Sequence, residues 1–260
     1  MNKQKLASSI VLLFSLFLMV SCTNEPVDPA LTAQLAAANA ANGGGSGGGT
    51  TAGGGTSSGD YFPAALNNQW VFTQNGVAQA PMKMISIDNI NGFTYYTFSP
   101  TSGSGATSSA TATQRLRKSS GDYFFKTDDS NISSGGISGV QTGFELLILK
   151  DYLPVGGTWT GSYNQTTTYN NPAYPVISST TNYTGTILEV GSSVVVGSTT
   201  YSNVIKMSLH ESVSMMGITS EVDTDYWFAK NVGIVKSITY ATGSTTTPQY
   251  TSLLTSYTLN

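Results

Sequence analysis

The chain has 260 residues, of which 10% are charged, 39% are hydrophobic and 14 are tyrosine. That balance excludes disorder driven by excess charge and points to one folded body with a Ser/Thr/Asn/Tyr surface. Once Lys3 and Lys5 are assigned to an export leader, nine basic residues face 14 acidic ones, a net charge of −5. Without a basic patch, nucleic-acid binding loses its electrostatic footing.

In chain order, Lys3 and Lys5 supply a positive start, Leu6 to Val20 an apolar core, and Ser21 a small residue before Cys22. This is the layout of a cleaved export signal over residues 1–21. The apolar run is short of the ~20 residues of a stable helical span, and Thr23, Asn24 and Glu25 follow it rather than positive charges. Cys22 is the sole cysteine, so neither a disulfide framework nor a cysteine-based zinc site is available. Leu18-Met19-Val20-Ser21-Cys22 resembles the lipobox read by the lipoprotein signal peptidase, with Met19 where leucine is usual. The resemblance implies that Cys22 becomes a lipidated first residue, so the partner expected for this end is a membrane, held through several acyl chains. Thr23 in place of Asp implies the outer membrane of a Gram-negative envelope, and Glu25 and Asp28 leave surface export open.

Residues 22–41 are expected to form a lipid-anchored N-terminus with one short helix. Asp28 offers the N-cap, Pro29 the first helical position, and Ala30 to Ala38 are good helix formers. Residues 42–59 are almost wholly Gly, Ser and Thr, which bury too little apolar surface to offset the entropy of ordering. They read as a flexible tether with a root-mean-square reach of roughly 23 Å.

Residues 60–260 read as a single all-β domain. Short alternating or apolar runs rich in Val, Ile, Thr, Tyr and Phe are broken by turn residues, with no sustained 3.6-residue period. Met82 to Ile87 with Phe93 to Phe98, and Thr113 to Lys118 with Tyr123 to Lys126, are predicted hairpins. Later strands are predicted at Phe144 to Lys150, Thr158 to Thr168, Ser179 to Val190, Asn203 to Met215, Thr219 to Phe228, Ile234 to Tyr240 and Gln249 to Thr258. The polar stretch Ser99 to Ala112 reads as a loop. Consecutive hairpins predict an antiparallel meander wrapped into a barrel-like or half-barrel body, which limits exposed edges, with a two-sheet sandwich as the alternative.

Asp60-Tyr61-Phe62-Pro63 followed by Trp70 is echoed by Asp151-Tyr152-Leu153-Pro154 followed by Trp159. In each, Pro halts the ladder and a Trp opens the next strand toward the core, a recurrent way of starting a strand. Tyr61-Phe62-Pro63 with Trp70, and the run Tyr226 to Lys236, resemble the opening and closing motifs of a family of exported bacterial β-domain lipoproteins. That family carries no established activity. In architecture alone the chain is also similar to carriers built as a half-barrel around an apolar cavity.

Candidate chemistry is sparse. Gly-x-Ser-x-Gly occurs at residues 44–48 and 55–59, but in the tether, where no strained strand-to-helix turn presents the serine. His210, the only histidine, shares parity with Lys206, Ser208, Ser212 and Ser214, a polar strand face, and reads as a solvated residue. Glu211 has the opposite parity, with Ile205, Met207, Leu209, Val213 and Met215, and points inward. Burying it alone is costly, so a cation, hydrogen-bond donors, a cavity mouth or a bulge is expected there. Glu221, Asp223 and Asp225 project from one face, yet the outer two lie about 13 Å apart on a strand, too far for one ion. Asp128-Asp129-Ser130-Asn131 reads as a turn. Trp70, Trp159 and Trp227 read as core anchors, with a sugar-stacking platform that includes Tyr226 and Phe228 as the alternative.

The expected protein is therefore a lipid-anchored outer-membrane lipoprotein, periplasmic or surface-exposed, whose non-catalytic β domain binds or displays a glycan, lipid or protein. The ligand candidates are Glu211, Trp70, Trp159 and Trp227, with no cofactor and no metal. The alternatives are an envelope carrier of an apolar ligand and, behind it, a glycan-active hydrolase working through two carboxylates.

Overall fold

A computed structural model describes residues 55–104, 108–134 and 136–260. The expected leader, the expected lipidation site Cys22, the expected short helix and most of the expected tether lie outside the described residues. The strands are β1 (Gln69–Gln74), β2 (Val77–Ala78), β3 (Met82–Ile90), β4 (Phe93–Phe98), β5 (Thr101–Ser104), β6 (Ser108–Ala112), β7 (Gln114–Ser119), β8 (Asp122–Thr127) and β9 (Ser130–Ser134). They continue as β10 (Ile137–Gln141), β11 (Phe144–Lys150), β12 (Thr158–Tyr169), β13 (Ile177–Val196), β14 (Thr199–Met215), β15 (Ile218–Ala229), β16 (Gly233–Tyr240) and β17 (Pro248–Thr258).

All 17 strands belong to one antiparallel sheet that is not closed, so the body is a wrapped half-barrel. Strands β12 to β17 form a meander in which each pairs with the next, and β17 returns to β1. Strand β3 turns the corner. Its Met82 and Lys83 pair with Trp70 and Gln69, whereas Met84 to Ile90 pair with Phe98 to Phe93. From there the order runs β3-β4-β7-β8-β11.

Both predicted hairpins close on two-residue turns, Asn91-Gly92 and Ser120-Gly121, with all four residues at positive φ. That backbone matches the right-handed twist of paired strands and favours Asn and Gly. The stretch from Ser99 to Ala112 is not a loop. It holds the β5–β6 hairpin, which pairs onward through β9 and β10 to β12. These strands are Ser/Thr/Gly-rich because they extend past the packed interior, so no apolar face is needed to hold their register. For the same reason the expected turn at Asp128 to Asn131 is half strand. Asp128 and Asp129 make the bend, while Ser130 and Asn131 open β9.

One end of the body receives the N-terminal segment. Ser57 Oγ donates to Asp151 Oδ2 at 2.6 Å, the Ser58 amide to Asp151 Oδ1 at 3.0 Å, and Lys118 Nζ to the Asp60 carboxylate at 2.9 Å. Lys230 Nζ reaches the Ser58 carbonyl at 2.9 Å. Residues 55–59, read from sequence as the end of the tether, are thus seated on the body. The interior at this end is filled by Phe62, Trp70, Phe98, Ile187, Ile205, Met207, Phe228 and Leu149, all fully buried. Trp70 donates from Nε1 to the Val232 carbonyl at 2.7 Å, and Trp159 likewise to Leu147 at 2.8 Å. The two halves of the sequence echo therefore use their tryptophans alike, each as the second residue of its strand.

Toward the opposite, distal end the inward face becomes polar. Ladder partners Gln74 and Ser252, then Ser237 and Tyr226, lie side by side on it, with Thr224 and Thr239 beyond. The hydroxyls of Thr224 and Thr239 bond to each other at 3.1 Å. The Gln74 amide is 3% exposed, and neither its nitrogen nor its oxygen has a partner. Orphaned groups of this kind cost free energy.

Candidate functional site

Glu211 points inward, as its parity predicts. The β14 ladders run without a register shift here, opposite Tyr183 on one side and Val222 on the other, so no bulge turns the side chain outward. Tyr163 Oη donates to Glu211 Oε1 at 3.0 Å. Phe144 stacks flat on the Tyr163 ring, centroids 4.0 Å apart and planes 5° from parallel, and the Tyr183 ring lies 6.3 Å from Tyr163. Burial pushes the Glu211 carboxyl above its ordinary value, with the Tyr163 hydrogen bond opposing. The Tyr163 and Tyr226 phenols are pushed up first by burial and then by the Glu211 charge. Burial here thus disfavours the negative charge on Glu211, Tyr163 and Tyr226 alike.

Room for the rings comes from two glycines. Trp159 pairs directly with Gly185 and Tyr183 with Gly161, and a methyl group on either glycine would overlap the facing ring. Tyr183 reaches across Gly161 so that its Oη accepts from the Leu147 amide at 3.3 Å. Leu147 on β11 thereby bonds two side chains, the indole of Trp159 at its carbonyl and Tyr183 at its amide.

An open groove of about 560 Å³ lies where β8 and β11 bend into β9 and β10, lined by Lys126, Thr127, Asp128, Asp129, Gly143, Phe144 and Glu145. Phe144 is shared. One side borders the groove and the other carries Tyr163, which holds Glu211.

The three tryptophans do not gather at this site. Trp70 and Trp159 are 0% and 6% exposed, bonded to backbone carbonyls. Trp227, 9% exposed, has the opposite parity to Tyr226 and sits between its ladder partners Lys206 and Lys236, whose ammonium groups lie 4.9 and 4.6 Å from the ring centroid. His210 is also on that outer face, its Nδ1 3.0 Å from Asp223 Oδ1. The acidic stripe divides its labour: Glu221 is exposed, Asp223 meets His210, and Asp225 pairs with Lys206 at 3.1 Å. Among the described residues no group of acidic, His or Cys side chains could hold a metal ion. Of the two Gly-x-Ser-x-Gly matches, the first lies outside the described residues. In the second, Ser57 donates to Asp151 with no histidine at hand.

Sequence reading missed Phe144, Tyr163, Tyr183 and Gln74, and weighed Tyr226 only as part of a stacking platform. For Tyr163 and Tyr183 the signal was present as a two-residue alternation of aromatic and glycine, Trp159-x-Gly161-x-Tyr163 and Tyr183-x-Gly185, which marks one crowded strand face.

No family model and no curated protein matches the chain. Among solved structures, the chain is similar to a candidate lipoprotein of Parabacteroides distasonis, with 10% identity and a TM-score of 0.50 over 77% of this chain and 99% of that one. A candidate exported protein with a YmcC-like fold from Bacteroides fragilis aligns at 9% identity and a TM-score of 0.33, over 77% of this chain and all of that one. At such identity the first likeness is one of fold.

Proposed function

We propose that this chain is a lipoprotein of the bacterial cell envelope, anchored to the outer membrane through Cys22, whose half-barrel is a non-catalytic module that binds a small ligand on its inner wall. The observation that carries the binding role is Glu211, held inward in a ring of tyrosines with a single hydrogen bond from Tyr163. Anchoring is supported by the leader and its cysteine, and by a fold shared with a protein itself described as a candidate lipoprotein. The carrier of an apolar ligand has less support. The apolar end of the body is filled with packed rings, and the distal wall presents hydroxyls, an amide and a carboxylate. A hydrolase with paired carboxylates is likewise less favoured, because Glu221, Asp223 and Asp225 point to the face opposite Glu211.

Native mass spectrometry of the full chain, extracted from bacterial envelopes in detergent, tests both parts. The expected species lacks residues 1–21, carries acyl groups at Cys22, and holds a small-molecule mass that disappears in Glu211→Gln. A soluble chain with unmodified Cys22 overturns the anchoring, and an empty wall overturns the binding role.

A further inference from the structure

We infer that the wall around Glu211 takes a small organic ammonium ligand, with the carboxylate facing the charge and the rings of Tyr163, Tyr183 and Tyr226 flanking it. This rests on the binding-module reading above and names the ligand class for that same site.

The argument begins with how the other carboxylates are treated. Asp60, Asp88, Asp122, Asp128, Glu145 and Asp225, all buried or half-buried, each have a Lys or Arg nitrogen within 3.2 Å. Asp223 has His210. Asp151 has no cation but collects Ser57, the Ser58 amide and Tyr123 as donors. Glu211 has neither in direct contact, only the Tyr163 hydroxyl, and the His210 charge acts on it from the outer face, where that ring bonds Asp223. The nearest lysines in the ladders, Lys206 and Lys236, belong to the outer face, and their ammonium groups sit over Trp227.

A half-buried carboxylate without a counter-charge is expensive, and a partner cation recovers much of that cost. An anion would be repelled. A neutral polyol would leave the charge unanswered, and an apolar ligand would bury it further. An ammonium group improves on the empty state twice, because tyrosine rings also present a negative π face to a cation, an attraction that strengthens where water is excluded. The wall lies toward the distal end, opposite the end where Ser57, Ser58 and Asp60 seat the anchored segment. A ligand therefore comes from the side facing away from the anchor.

Isothermal titration calorimetry on the full chain in detergent decides it, with choline chloride as the probe, 3,3-dimethylbutan-1-ol as its uncharged isostere, and maltose. Choline is expected to bind, the isostere to bind about tenfold more weakly or worse, and Glu211→Gln to lose about tenfold or more for choline alone. Phe144→Leu, which keeps every charge and removes the ring behind Tyr163, is expected to weaken choline by a smaller factor. Choline binding that survives Glu211→Gln overturns the inference. Maltose binding that depends on Glu211, with no choline binding, overturns the ammonium class while leaving the binding module standing. No binding of any probe, together with an empty envelope-purified protein, overturns both.

Discussion

The indole of Trp159 lies across Gly185, its direct partner in the β12–β13 ladder, and from there donates to the Leu147 carbonyl on β11. One glycine thus sets the path of a side chain that crosses between the meander and the second run of strands. Gly185→Ala must displace the ring, because a methyl group there occupies ring space. Overpacking of this kind costs about 1–3 kcal/mol. Urea unfolding followed by tryptophan fluorescence should show a lower midpoint and a shifted native spectrum, and Gly161→Ala, which meets Tyr183, should do the same without the spectral shift. An unchanged midpoint for both would mean that the rings are not pinned by their glycines.

Much of this body is legible in the sequence because one face of β12 to β17 alternates cleanly. His210 outward and Glu211 inward follow from parity alone. What parity cannot give is which strands meet around the curve. Phe144 and Tyr163 are 19 positions apart and on strands from different runs of the sheet, so their stacking has no local signal. The β5–β6 and β9–β10 hairpins escaped for the opposite reason. Their Ser and Thr residues pair by backbone alone and carry no hydrophobic period.

Arg117 is held as a planar sandwich. Its guanidinium carbon lies 3.6 Å from the Phe124 centroid and 4.7 Å from that of Phe93, while Nε and Nη2 reach the two Glu145 oxygens at 2.9 and 3.0 Å. Lysine keeps the charge and loses both the fork and the stacking surface. Arg117→Lys is expected to cost about 2 kcal/mol in urea unfolding. Because Arg117 is buried against the Phe124 ring, the loss should persist in part at high salt, unlike that of an exposed ion pair. A cost that vanishes at 1 M salt would show the contact to be a surface one.

Asp151 gathers three donors, Ser57 Oγ, the Ser58 amide and Tyr123 Oη at 3.1 Å, and so fixes where residues 55–60 meet the body. Asp151→Ala removes a buried acceptor, leaving the exposed Ser58 amide to water while Ser57 Oγ and Tyr123 Oη keep the Gly59 carbonyl. The expected result is faster hydrogen exchange at the Ser58 amide and a loss of about 1 kcal/mol. Exchange at the β13–β14 ladder should be unchanged except through global opening. Equal protection at Ser58 in both proteins would show that other contacts, such as Lys230 to the Ser58 carbonyl, suffice.

The empty Glu211 wall makes a prediction of definite sign. Burial raises the Glu211 carboxyl above its unfolded value, with Tyr163 and the His210 charge opposing. A raised acid binds its proton more tightly in the folded state. Its contribution to stability is therefore whole below the unfolded value, about 4.3, and is lost as pH rises through the folded value. Gln has no proton to lose. Glu211→Gln should match the wild type in urea midpoint at the acid end and become the more stable of the two as pH rises past the folded value. Tyr163 and Tyr226 face the same carboxyl but stay neutral through this range, since burial pushes both further up. Saturating choline should narrow the gap by stabilising only the wild type, because a ligand that binds the folded state alone shifts the unfolding equilibrium by mass action. A wild type as stable as Glu211→Gln at pH 8 without ligand would show that the wall already supplies a counter-charge, and with it the reason for an ammonium ligand would fall.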